Sequence, residues 1–189
     1  MAPESDGELV ARLRRRDTGA FDVAYERHAP KLYRFLLRLC RSRAAAEDVL
    51  QETWLRLSSR ASELSADTDL SAWLFTVARN AWISRARVEC RVVEFASGHD
   101  RADGDANPEA RAVTASSVAA VERALLSLNE ADREILLLVG VEEMSPKAAA
   151  SVLGVSDVVF RQRLHRARER LSSELAQRPR AASGDWTDE

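Results

Sequence analysis

Cysteine, histidine, proline and glycine are all scarce in this 189-residue chain, at two, three, five and seven residues. Cys40 and Cys90 lie far apart and form neither a C-x-x-C pair nor a Cys/His ligand spacing. They read as reduced thiols, Cys40 on a buried helix face, and not as a disulfide framework or a zinc site. No metal and no other cofactor is expected. Glycine is too sparse for a phosphate-cradling loop, and His28 and His165 stand apart in sequence from any cysteine or serine partner. Without a nucleophile–base pair the chain is not read as an enzyme. Long apolar runs are missing as well. The longest, Ile135 to Val141, is far too short to span a bilayer, and the charged opening from Met1 to Asp17 has no apolar centre of the kind a signal peptide carries. A soluble, cytoplasmic protein without membrane insertion is expected. An excess of one charge is absent too: the net charge is -2. Any contact with nucleic acid must then come from local basic clusters. Those clusters are arginine, since the only lysines are Lys31 and Lys147.

What the chain does have is apolar periodicity of the helical kind, with no strand alternation and no internal repeat. The fold class is all-α. Residues 5–91 form a first module. It has a short opening helix marked by Leu9, Val10 and Leu13, and a second helical stretch through Phe21, Tyr25, Leu32, Phe35, Leu36 and Leu39, disturbed near Pro30. A third helix runs from Ala44 to about Ser59. A polar loop follows, and a fourth helix runs from Leu70 to about Val88 with Trp73, Leu74, Val77, Ala78 and Ala81 on one side. Residues 92–113 are acidic, rich in small residues and interrupted by Gly98, Gly104 and Pro108, and so read as a flexible linker. Residues 114–177 form a second helical module, with Val118, Val121, Leu125, Leu128, Ile135, Leu136 and Val139 as its core and Asn129 as a helix N-cap. Residues 178–189 read as a disordered tail. With such a linker the two modules are expected to pack loosely or not at all.

The most informative segment is MSPKAAASVLGVSDVVFRQRLHRARERL, Met144 to Leu171. Ser145 is a natural N-cap, Pro146 suits a first helical position, and Gly154 can take the left-handed turn that ends a short helix. Ser156 then caps a longer helix in which Phe160, Leu164, Ala167 and Leu171 make one inward stripe. Arg161, Gln162, His165, Arg166 and Arg168 lie largely off that stripe. A short helix, a tight turn and a basic second helix make a helix-turn-helix, whose second helix enters a DNA major groove. Arginine can bridge guanine O6 and N7, and glutamine can pair with adenine N6 and N7.

Two segments of the first module carry a family resemblance. AEDVLQETWLRL (Ala46 to Leu57) and LSAWLFTVARNAWISRAR (Leu70 to Arg87) resemble region 2 of bacterial RNA polymerase sigma factors. SLNEADREILLL ahead of the helix-turn-helix, and RLHRARERL within it, resemble region 4. The closest likeness is to the extracytoplasmic-function group, which keeps only those two regions. The resemblance implies a factor that binds core RNA polymerase, recognises a two-part promoter and helps to melt its −10 part. It assigns Asp48, Gln51 and Glu52 to polymerase docking; Asp48 and Glu52, at i and i+4, share a helix face. It places Arg79 and Asn80 of the VARN motif at the opened −10 strand. It places Arg161, Gln162, His165 and Arg166 at the −35 duplex, with Arg163 as a phosphate contact or an internal ion pair. It also implies a cognate anti-sigma factor as a partner.

Three departures stand out. Val158-Val159 replaces the Gly-Thr pair usual early in the second helix, Ala148-Ala149 replaces an acidic–isoleucine pair, and Ser84 replaces a common aspartate. The rival reading is a stand-alone helix-turn-helix regulator with a helical sensor module, which would bind paired operator half-sites without polymerase. The AEDVLQET and VARN segments argue against it.

Overall fold

The computed structural model describes residues 5–95 and 114–176, with side chains placed over 5–85 and 118–176. The helices are α1 (Asp6–Arg14), α2 (Thr18–Cys40), α3 (Arg43–Arg60), α4 (Leu70–Phe95), α5 (Thr114–Ser127), α6 (Glu130–Leu136), α7 (Pro146–Leu153) and α8 (Asp157–Ala176). A 3₁₀ turn, Ala61–Glu63, follows α3, and a wide π turn, Leu137–Val141, extends α6.

Polar side chains start nearly every helix, satisfying N–H groups that have no partner within the helix. Ser5 and Glu8 form a reciprocal capping box on α1. Asp17, Ser42, Asp69, Asn129, Ser145 and Ser156 cap the later ones, Asn129 accepting from the Asp132 N–H at 3.0 Å. Pro146 takes the first position of α7, and Gly154 ends that helix at φ 65°. α2 runs through Pro30 without a break. Pro30 and Glu26, one turn earlier, are both exposed, so the carbonyl that loses its donor lies on the solvent side. α4 continues to Phe95, past the end expected near Val88. The linker proper and the tail lie outside the described residues.

In the first module, Leu9, Val10 and Leu13 of α1 pack with Leu32, Phe35, Leu36 and Leu39 of α2, Val49 and Leu57 of α3, and Leu70, Leu74 and Phe75 of α4. The rings of Phe35 and Phe75 meet edge to face at 5.1 Å. In the second module the core is Leu125, Leu128, Ile135, Leu137, Leu138, Ala149, Ala150, Leu153, Phe160, Leu164 and Ala167. Val118 and Val121, expected in that core, are exposed at 57% and 39%; Ala124 is buried in their place. The Arg133 side chain is buried among backbone oxygens, donating to the carbonyls of Leu125, Leu126 and Leu128 at 3.1, 3.3 and 2.8 Å. It thereby closes the C-terminal end of α5 and ties it to α6. Asp132 pairs with Arg170 and so fixes α6 to α8.

The two modules do not stand apart. Their apolar residues form one continuous buried cluster, with α7 packed along α4 and α6 against α2. Charge reinforces the seam. Arg79 pairs with Glu134 at 2.6 Å, Arg38 pairs with Glu122 at 3.0 Å, and the Trp82 indole N–H donates to Glu130 at 2.8 Å. The expectation of loosely packed modules attended to the linker and overlooked the acidic face that the second module turns toward the arginines of the first.

Candidate nucleic-acid interface

The helix-turn-helix positions α8 through its buried stripe. Phe160, Leu164 and Ala167 anchor it against α6 and α7, and Leu171 is half-buried one turn on. The opposite face carries Arg161, Gln162, His165 and Arg166, all exposed. His165 lies 3.4 Å from Glu169 on the next turn, with both side chains largely in solvent. Arg163 is exposed but lies round toward the packed side, near enough to Glu134 to lower the cost of its charge. The first turn of α8 adds Val158, 63% exposed, and Val159, 36% exposed.

α4 presents the second group. Asn80 is exposed and lines a shallow cavity with Arg56, Arg60, Glu63, Leu64, Trp73 and Val77. Trp73 is thus half-buried beside Asn80, while Phe75 belongs wholly to the core. Arg79 is only 21% exposed, and its guanidinium is held by the buried Glu134 carboxylate. Burial pushes the Glu134 carboxyl above the usual glutamate range, against the pull of Arg79.

The third group is on α3. Asp48 is exposed and pairs with Arg85 of α4 at 2.9 Å; Glu52 is half-buried and pairs with Arg56 one turn on; Gln51 is exposed. The side chains are placed together as the i, i+4 spacing required, but both carboxylates already have a cation. Sequence reasoning passed over the apolar part of this surface. Leu55, 63% exposed, shares the face of Asp48, Gln51 and Glu52, being seven, four and three residues further on. Beside it Phe21, Tyr25, Leu50, Gln51 and Trp54 line a groove. Tyr25 and Phe21 lie 4.9 and 5.7 Å from the Trp54 ring. The signal available in the sequence was Leu55 itself, an apolar side chain at helical spacing from Asp48, Gln51 and Glu52.

Residues 24–91 match the model of Sigma-70 region 2, and residues 119–171 match that of Sigma-70 region 4. RNA polymerase sigma factor CarQ of Myxococcus xanthus is 33% identical over 162 residues, 84% of this chain and 90% of that protein. The chain belongs to the extracytoplasmic-function group of the sigma-70 family. As a sigma factor it binds RNA polymerase and promoter DNA and directs transcription initiation; it is not itself an enzyme. The extracytoplasmic-function factor SigM of Mycobacterium tuberculosis is 32% identical over 170 residues, 89% of this chain and 83% of that one. The solved sigma factor RpoE of Bartonella quintana, in complex with the anti-sigma factor NepR, superposes with a TM-score of 0.68 at 28% identity, covering 79% of this chain and 92% of that one. CnrH, solved with the cytosolic domain of CnrY, shares the fold at a TM-score of 0.67 and 23% identity, over 92% and 98% of the two chains. In this sigma factor the region 2 match holds most of α2, all of α3 and most of α4, and the region 4 match runs from α5 into α8. Among the described residues no helix is long and apolar enough to cross a membrane.

Proposed function

We propose a division of labour within this sigma factor. The first module, residues 5–91, docks on core polymerase through Asp48, Gln51 and Glu52 and engages the opened −10 strand with Arg79 and Asn80. The second, residues 114–177, reads the −35 duplex with Arg161, Gln162, His165 and Arg166, while Arg163, at the edge of that face, supplies charge without base selection. The observation that carries the reading is the outward face of α8: exposed arginine, glutamine and histidine side chains stand directly opposite a buried apolar stripe in a capped helix-turn-helix. Its working place is the cytoplasm, with the polymerase.

Docking combines charge with an apolar anchor. Leu55 and the Tyr25–Trp54 groove offer desolvation at the centre, and the carboxylates around them select a basic partner. The pairs Asp48–Arg85 and Glu52–Arg56 keep those carboxylates extended until the partner's cations replace or join their own. The experiment is a direct binding measurement with core polymerase. Asp48→Arg/Glu52→Arg stays folded and loses core binding by more than tenfold; unchanged affinity in a folded double variant removes the assignment.

Promoter engagement requires the modules to part. Two promoter elements separated by roughly two turns of duplex lie about 70 Å apart. Here Arg79 of one module touches Glu134 of the other. With Arg79 only 21% exposed beside Glu134, a phosphate reaches its guanidinium fully only when the modules part, and the DNA strand then takes the place of Glu134. An anti-sigma partner fits the same account: RpoE, which was solved with the anti-sigma factor NepR, shares this fold, and a protein that held the modules together would keep Arg79 covered.

A further inference from the structure

The first turn of α8 is chemically unlike the rest of its outward face. Val158, Gln162, His165 and Glu169 follow one another at i, i+4, i+7 and i+11, so they form a single stripe opposite Phe160, Leu164 and Ala167. Three of the four are polar. The fourth, Val158, is a branched aliphatic side chain left 63% exposed at the leading end of the stripe. In a helix inserted in the major groove, the leading residues are those that meet base edges. Val158 offers no donor or acceptor there. The neighbouring Asp157 carboxylate, in the same first turn, disfavours a phosphate at this helix end. An aliphatic group on a base edge finds one complementary feature in the major groove, the C5-methyl of thymine.

We propose that Val158 is a specificity-determining residue of this sigma factor, selecting a thymine in the −35 element by packing its methyls on the thymine methyl. Gln162, one turn further along the same stripe, then reads a neighbouring base by hydrogen bonding. The assignment rests on α8 being the −35 reader. Val159 is more covered, at 36%, and lies off this stripe on the Arg166 side of the face, which makes it the neighbouring aliphatic comparison.

The test uses holoenzyme assembled from core polymerase and the full chain. Duplexes randomised over the −35 segment are selected by binding, and the winning duplex is remade with each thymine in turn replaced by deoxyuridine, which removes only the methyl. One such replacement is expected to weaken binding about fourfold, the effect of one buried methyl-sized group. Val158→Ala is expected to reduce that ratio to near one, and Val159→Ala to leave it. The exposure of both side chains makes either variant safe for folding. Absence of a selected thymine, a methyl effect at no position, or an effect that persists in Val158→Ala overturns the proposal. Gln162→Ala and Arg166→Ala, run in parallel, separate this from failure of the reading beneath it: if the selected −35 sequence still depends on them while no methyl effect exists, only Val158 is misassigned. If nothing is selected in the −35 segment, the reading of α8 and the role of Val158 fall together.

Discussion

On α8, Arg161 and Arg166 are exposed and make no ion pair among the described residues, whereas on α4 Arg79 is mostly buried against Glu134. Both surfaces carry arginine that we propose meets DNA, yet one is open to solvent and the other is already paired. The difference comes from what lies behind each helix. α8 spends its apolar stripe on its own module and leaves its basic face to solvent. α4 is flanked by α7 and by the carboxylates of α6, so its basic edge is covered by the partner module. A motif therefore reports which groups are available to DNA; the packing of the other module decides whether they are free.

The comparison breaks most severely if α8 loses its support. Arg133 donates to three carbonyls at the α5–α6 corner, and Arg133→Ala removes that donor from all three, leaving the Leu125 carbonyl its 3.3 Å bond from the Leu128 N–H. A loss of about 3 kcal/mol in stability is expected, read from the midpoint of urea unfolding. A smaller effect comes from the open face itself. Arg166→Ala is expected to lose about 1–3 kcal/mol of discrimination at one base pair, while Arg163→Ala weakens specific and scrambled −35 duplexes alike. Titrations against both duplexes decide between base reading and simple charge.

The smallest expected effect lies in the seam between modules. Glu142 follows the π turn, and neither of its buried carboxylate oxygens has a hydrogen-bond partner. Burial raises its carboxyl above the usual range, although Arg34, Lys31 and Arg38 on α2 pull the other way. Relative to the unfolded chain, folding thus favours the protonated form. That contribution is full below the ordinary glutamate range and is lost as pH rises through the raised folded value. Glu142→Gln is therefore expected to stabilise the closed chain near pH 7 by up to about 1 kcal/mol, the gain vanishing in acid. Thermal unfolding at several pH values checks both sign and window.

Helix caps, the inward stripe of α8 and the turn at Gly154 were legible in the sequence because each depends on neighbours within a few residues. Asp48 and Glu52 were placed on one face for the same reason. Three things were not legible. The burial of Arg79 depends on Glu134, 55 residues away. The exposure of Val118 and Val121 depends on which face of α5 meets α8, which periodicity leaves open by a residue or two. The groove of Phe21, Tyr25 and Trp54 needs two helices brought together. Local chemistry sets the elements; long-range partners set which of their groups face solvent.

The central claim is that the closed chain covers its −10 face and opens to use it. Spin labels at Glu26→Cys in α2 and Ser172→Cys in α8, both exposed positions, report the separation of the modules once Cys40 and Cys90 are replaced by serine. Pulsed dipolar spectroscopy of the free chain is expected to give one narrow distance, with Glu134→Gln adding a longer population. On assembly with core polymerase and promoter DNA the distance is expected to lengthen toward the roughly 70 Å between promoter elements. A distance unchanged in the promoter-bound holoenzyme, or one already broad in the free wild-type chain, would contradict a closed chain that opens on the promoter.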